Sequence, residues 1–185
     1  MSIPDFYDSL FDGSRSIPAL LNQLYSLNII GFYEYSQLLT VSEAINSAIN
    51  LSIDEYDFYD ILNNVRDDIY IQSSGNNQAP ILFADAVMDI AIASMEFWDE
   101  DMNEPFTGRD EYVPPAVAAD VGGAIIGAAT NAINQYANSG TVNARGVLIG
   151  AGAGAVVAST GGVAKVVSLV CKTAMRVGKF ISKLF

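Results

Sequence analysis

The sequence contains no histidine, a single cysteine and few charged residues. It has 185 residues, of which 16% are charged, and its mean hydropathy is +0.28. Without histidine the chain lacks the commonest general base and metal ligand. The single cysteine, Cys171, excludes an internal disulfide framework. There is also no GxSxG nucleophile motif, phosphate-binding loop or zinc-ligand set. We therefore expect that the protein is not an enzyme and that it has no metal site and no cofactor.

Acidic residues are absent from the last third of the chain. All 21 Asp and Glu residues lie within residues 1–120, where Arg15, Arg66 and Arg109 leave a net charge of −18. Residues 121–185 carry six cationic side chains and a net charge of +6. This asymmetry indicates that the two parts meet different solvents or partners, or that they dock on each other. It predicts an acidic helical domain at 1–98, an acidic, proline-bearing linker at 99–115 and a third region at 116–185.

Helix signals along the chain predict an all-α helical bundle, and no segment shows a convincing strand-like alternation. Ser16 can cap a helix that carries Pro18 in its first turn. A second helix is predicted to open after Gly31 and to restart at Ser42. The stretch SIDE at 52–55 has a capping-box pattern ahead of a long amphipathic helix. Further helices are predicted at 81–98, 116–137, 144–159 and 163–185.

The third region contains rows of small residues spaced four apart. This spacing places the missing side chains on one strip of a helix, along which another helix backbone can approach closely. In water each glycine costs a helix about 1 kcal/mol relative to alanine, so tight packing is needed to offset it. The rows predict helix–helix packing in an apolar Gly/Ala-rich hairpin, through Gly123 and Gly127 on one arm and Gly146, Gly150, Gly154 and Ala158 on the other.

The hairpin is apolar enough for two different environments. Its uncharged run 146–164 has 19 residues, and as a helix it would be about 28 Å long, close to the thickness of a bilayer's hydrocarbon core. Arg145 is the only charged residue between Asp120 and Lys165. One interpretation is a hairpin that enters a membrane, conditionally or otherwise. The other is a hairpin that stays buried in a soluble protein.

The last predicted helix, 163–185, is amphipathic and cationic. At 100° per residue its basic side chains project within about 60° of each other, opposite an apolar face. A cationic stripe without acids is typical of interfacial helices that bind anionic lipid, and the alternative is the solvated face of a core-packed helix. Nucleic acid is not expected as a partner, because aromatics are not interleaved with the basic residues. The stripe consists of Lys165, Lys172, Arg176, Lys179 and Lys183.

Residues 116–185 resemble glycine-zipper bacteriocins and other pore-forming antibacterial peptides. The resemblance lies in GGAIIG (122–127), GVLIGAGAGA (146–155) and KTAMRVGKFISKLF (172–185). A helical body that shelters an apolar hairpin is also similar in plan to the pore-forming domains of colicins. These resemblances imply a toxin-like protein that inserts into a target membrane.

The leading hypothesis is a membrane-active, pore-forming, secreted or membrane-associated antibacterial protein. The basic helix would bind an anionic lipid membrane, the hairpin would insert, and glycine rows would support a homo-oligomer. Intramolecular docking of acidic segments on the basic helix would shield the hairpin before release. One alternative is a soluble, cytoplasmic all-α interaction or assembly protein whose Gly/Ala helices are permanently buried. Another is a membrane-anchored component whose acidic part is an exposed binding module.

Overall fold

Six helices make up the part of the chain that the structure, a computed structural model, describes: residues 16–75, 82–101 and 113–159. Within these ranges there is no strand, so the predicted all-α class is confirmed. The predicted helix at 163–185 and most of the predicted linker lie outside the described residues. The helices are α1 (Ile17–Ser26), α2 (Phe32–Ile49), α3 (Glu55–Gly75), α4 (Leu82–Asp101), α5 (Pro115–Ser139) and α6 (Ala144–Ser159).

Two of the predicted helix starts in the acidic part need correction. α1 begins as expected, with the Ser16 hydroxyl accepting a hydrogen bond from the Ala19 N–H at 3.4 Å. The predicted restart at Ser42 is wrong, because Ser42 lies buried on the core side of a continuous α2. The predicted cap at Ser52 is also wrong. Asp54 caps α3 instead, and its Oδ1 accepts the Asp57 N–H at 2.8 Å.

α5 is the central helix of the bundle. It contacts α1, α2, α4 and α6, while α3 packs against α2 and α4. Apolar side chains from all six helices form one hydrophobic cluster, so the acidic helices and the glycine-rich hairpin share a single core. Burial of each large apolar side chain contributes about 1.5–3 kcal/mol. The largest fully buried ones include Leu21, Leu38, Phe58, Leu62, Met88 and Ile125.

A buried carboxylate joins the N-terminal ends of α2 and α4. Glu34 accepts a hydrogen bond from the Gly31 N–H through Oε2 at 3.2 Å and one from the Ala84 N–H through Oε1 at 3.4 Å. The first N–H groups of a helix have no partner within the helix, so Glu34 satisfies one such donor at each of two helix ends. Burial raises the pKa of Glu34 above its ordinary value, and the two hydrogen bonds partly oppose that rise.

Asp85 lies beside Glu34 in the first turn of α4. Burial, with repulsion from Asp89 and Glu34, raises the pKa of Asp85 from 3.8 to about 6. The folded state therefore binds this proton more tightly than the unfolded state does. By linkage, the free energy of unfolding falls as the pH rises through the window from about 4 to about 6. These acids make the bundle more stable on mild acidification.

Replacing Glu34 tests the double cap. In Glu34→Ala the N–H groups of Gly31 and Ala84, of which the second is buried, lose their acceptor. We expect the free energy of unfolding to fall by about 1–2 kcal/mol in urea titrations followed by circular dichroism. Glu34→Gln keeps an acceptor oxygen and should lose less. Glu43→Ala removes an exposed carboxylate from the same helix, and it should change stability by less than about 0.5 kcal/mol. Equal losses in Glu34→Ala and Glu43→Ala would contradict the cap.

Replacing Asp85 tests the pH dependence. Asp85→Asn removes a half-buried charge, so we expect it to raise stability by about 1 kcal/mol at pH 7 and to have little effect at pH 4. The measurement is the urea midpoint at several pH values. Asp57→Asn makes the same chemical change at an exposed aspartate in the first turn of α3, and it should leave the wild-type pH profile in place. A destabilised Asp85→Asn at pH 7 would overturn the assignment.

Candidate functional site: the glycine-faced hairpin

α5 and α6 form an antiparallel pair, which we call the glycine-faced hairpin (Pro115–Ser159). α5 ends at Gly140, whose φ of 68° is a left-handed conformation that favours glycine. Asn143 caps α6, because its Oδ1 accepts the Gly146 N–H at 2.8 Å. Gln135 closes the turn, since its Oε1 accepts the Asn143 N–H at 3.0 Å. The chain therefore reverses direction within a few residues.

The small-residue rows of the two arms face each other. A Cβ atom built on Gly123 would lie 2.6 Å from the Ala158 Cβ, and one built on Gly127 would lie 2.8 Å from the Gly154 Cα. A Cβ atom on Gly150 would lie 2.5 Å from the Gly127 carbonyl oxygen. Separations below 3.0 Å are essentially never found for real Cβ atoms. At these glycines the two helices thus touch backbone to backbone, and there is no room for a side chain in place of the glycine hydrogen.

The strip on α5 continues beyond its glycines. Asn131 and Gln135 follow Gly127 at the same four-residue spacing, and they face α6 near the turn. A Cβ atom on Gly150 would lie 2.6 Å from the Asn131 Cβ, and one on Gly146 would lie 2.7 Å from the Gln135 Cδ. The Gln135 amide also donates to Asn131 Oδ1 at 2.7 Å. Sequence analysis missed these two residues, although their spacing continues the glycine row.

Both arms of the hairpin pack against α4. The Asp120 carboxyl group on α5 is 1% exposed and accepts a hydrogen bond from the buried Ser94 hydroxyl on α4. On α6, a Cβ atom on Gly152 would lie 3.9 Å from the Ile90 Cδ1, which is an ordinary contact distance. A buried carboxyl group without a hydrogen bond is costly. The contact between Asp120 and Ser94 therefore helps to fix the position of the hairpin on the acidic helices.

The face of α6 that points away from α4 and α5 is apolar and exposed. Ile149 is 59% exposed and Val157 is 71% exposed, with the exposed Ala153 between them at four-residue spacing. Asp120 and Arg145 are the charged residues of 113–159. By length and composition, the stretch Ala116–Ser139 of α5 could cross a membrane, whereas the apolar stretch of α6, Ala144–Ala158, is shorter. The core helix of a soluble protein passes the same test, and 67% of the most apolar part of α5 is buried.

The residues predicted to bind anionic lipid lie outside the described residues. They are Lys165, Lys172, Arg176, Lys179 and Lys183. Of the cationic residues of 116–185, Arg145 at the start of α6 lies within the described residues, and its side chain is exposed. The described part of the site therefore consists of two helix-packing surfaces and one exposed apolar face.

A pair of alanine substitutions on α6 tests the backbone contact. A Cβ atom on Gly154 would overlap the Gly123 carbonyl oxygen, whereas a Cβ atom on Gly152 has room. We expect Gly154→Ala to lower the free energy of unfolding by about 2 kcal/mol or more. Gly152→Ala should raise it by about 0.5–1 kcal/mol, because alanine favours the helix. Urea unfolding of both variants decides the matter, and similar stabilities would contradict the close approach.

The arrangement offers packing surfaces rather than reactive groups. Among the described residues, no three His, Cys, Asp or Glu side chains are grouped so that they could hold a metal ion. Chemically, the hairpin can associate tightly with itself, pack on α4, and present an apolar face to a partner or a lipid. Comparison with known proteins does not assign the chain to a family: no family model, curated protein or solved structure matches it.

Proposed function

We propose that this protein is a membrane-active, pore-forming protein of the toxin-like, antibacterial type. Its cationic C-terminal segment binds anionic lipid, its glycine-faced hairpin enters the bilayer, and hairpins associate into a pore. The observation that carries the proposal is the backbone contact of Gly123 and Gly127 with Gly150 and Gly154.

The contact within the hairpin differs in kind from the contact between the hairpin and the acidic helices. Close backbone packing gains van der Waals energy and does not need water, so it can persist in lipid. The packing of α5 on α1, α2 and α4 is driven by burial of apolar surface from water. A lipid phase offers the hairpin an equally apolar surrounding. The hairpin can therefore leave the acidic helices while its two arms stay together.

The charges of the hairpin lie near its two ends. Asp120 is in the second turn of α5, far from the reversal of the chain. Arg145 is in the first turn of α6, next to that reversal. The 19 residues between Asp120 and Gly140 carry no charge, which as a helix is about 28 Å. A long basic side chain such as that of Arg145 can extend to the polar surface of a bilayer. The uncharged length of α5 between Asp120 and Gly140 therefore suits the hydrocarbon core of a bilayer.

Anionic lipid, rather than acid, is the proposed trigger. Glu34 and Asp85 both have raised pKa values in the folded bundle, so mild acidification stabilises the packing of α2 and α4 through these groups. Acid at these sites would therefore oppose opening. A negatively charged surface, in contrast, attracts the basic stripe directly.

A second candidate is a soluble all-α interaction or assembly protein in which the hairpin stays buried. The observation that favours it is the depth of α5 in the bundle, where 67% of its most apolar part is covered. The buried contact between Asp120 and Ser94 adds to this. In this case the glycine contact would serve only to pack the core closely.

Dye release from vesicles distinguishes the two candidates. We expect leakage from anionic vesicles and little from neutral ones. The triple variant Lys172→Glu, Arg176→Glu and Lys179→Glu should reduce leakage at least about tenfold, because each lysine or arginine near an anionic surface contributes roughly 1 kcal/mol.

The matched control reverses the three arginines of the acidic part, Arg15, Arg66 and Arg109, to glutamate. It changes the net charge by the same amount and should keep most of the leakage. An absence of leakage from the wild-type protein at any pH would overturn the membrane proposal and favour the buried hairpin. Equal losses in the two triple variants would show that net charge, and not the C-terminal stripe, governs binding.

A further inference from the structure

Beyond Arg145 in its first turn, the exposed face of α6 carries no polar side chain as far as Ala158. From Gly146 to Ala158 every residue is Gly, Ala, Val, Leu or Ile. One side of α6 is covered by α5 and α4, and the other presents Ile149, Ala153 and Val157. A helix that is apolar all round is normally covered all round. We therefore expect another segment or molecule to cover this exposed stripe of α6.

We infer that the C-terminal segment of the same chain, residues 163–185, docks its apolar face on this stripe of α6. The segment follows α6 directly, and Gly161-Gly162 lies where the chain would reverse. As a helix its 23 residues would extend about 34 Å, enough to run back along the whole of α6, which at 16 residues is about 24 Å long. One face of the segment is apolar and comprises Val163, Val167, Val170, Ala174, Val177 and Ile181.

Tethering favours this occupant over a second copy of the protein. A segment joined to its site by a few residues has an effective concentration on the order of millimolar, far above that of a separate chain in dilute solution. Charge also favours it, because the segment can cover α6 while its basic stripe faces outward, opposite the apolar side. The docked segment would leave the body's negative charge and its own positive charge both accessible to solvent.

The native Cys171 provides a reporter of this docking. If the chain reverses near residue 161, residue 171 lies level with residue 151, between Ile149 and Ala153. We therefore propose two full-length variants that keep Cys171, Ile149→Cys and Ala153→Cys. Thr130→Cys on α5 is the control, because Thr130 is exposed and lies at the same level of the hairpin on the other arm, where its neighbour Asn131 contacts Gly150. Each variant is oxidised in dilute solution without lipid, and disulfides are identified by non-reducing gels and mass spectrometry.

We expect an intramolecular disulfide with Cys171 to form at least about tenfold faster in Ile149→Cys or Ala153→Cys than in Thr130→Cys, where the longer loop alone accounts for only about threefold. Equal rates in all three variants would overturn the docking. A disulfide between two chains as the main product would also overturn it and assign the stripe to a second copy. Because the test uses no lipid, its failure would leave vesicle leakage to be judged separately.

Discussion

The close approach of α5 and α6 is the constraint on which the rest of the structure depends. Gly123, Gly127, Gly150 and Gly154 place two backbones so near each other that a single methyl group would collide with a carbonyl oxygen. That approach fixes the register of the hairpin, from Ala158 opposite Gly123 to Gly146 beside Gln135.

The register in turn determines which side chains face α4, and it leaves Ile149, Ala153 and Val157 on the outside. A change at the strip would therefore alter the core, the position of the hairpin and the exposed face together.

Two sets of interactions stabilise the bundle, one within the hairpin and one between the hairpin and the acidic helices. The hairpin is held by van der Waals contact along its strip and by the amide network of Asn131, Gln135 and Asn143. Its position on the acidic helices depends on apolar burial and on the hydrogen bond between Ser94 and Asp120. Of these contributions, only the apolar burial weakens when water is replaced by lipid. Under the proposed function, this difference would let the hairpin leave the acidic helices without a change inside the hairpin.

Sequence patterns predicted the regular features well and the tertiary ones poorly. The span of α6 and the cap at Ser16 follow from local signals, which depend on neighbouring residues. The start of α3 was misassigned because Ser52 and Asp54 both suit a cap, and their local chemistry does not choose between them. Glu34 could not have been found, since one of its two partners, Ala84, is 50 residues away. Asn131 and Gln135 could have been found, because they continue the spacing of Gly123 and Gly127.

The proposed function requires that the hairpin moves as a unit and keeps its internal contact in lipid. Spin labels on the exposed positions Thr130 and Ala153, in a Cys171→Ser background, measure the separation of α5 and α6, and labels on Thr40 and Thr130 measure the separation of the hairpin from α2. In dipolar electron resonance we predict that anionic vesicles leave the first distance unchanged and lengthen the second. An increase in the first distance, or no change in the second during dye release, would contradict the account.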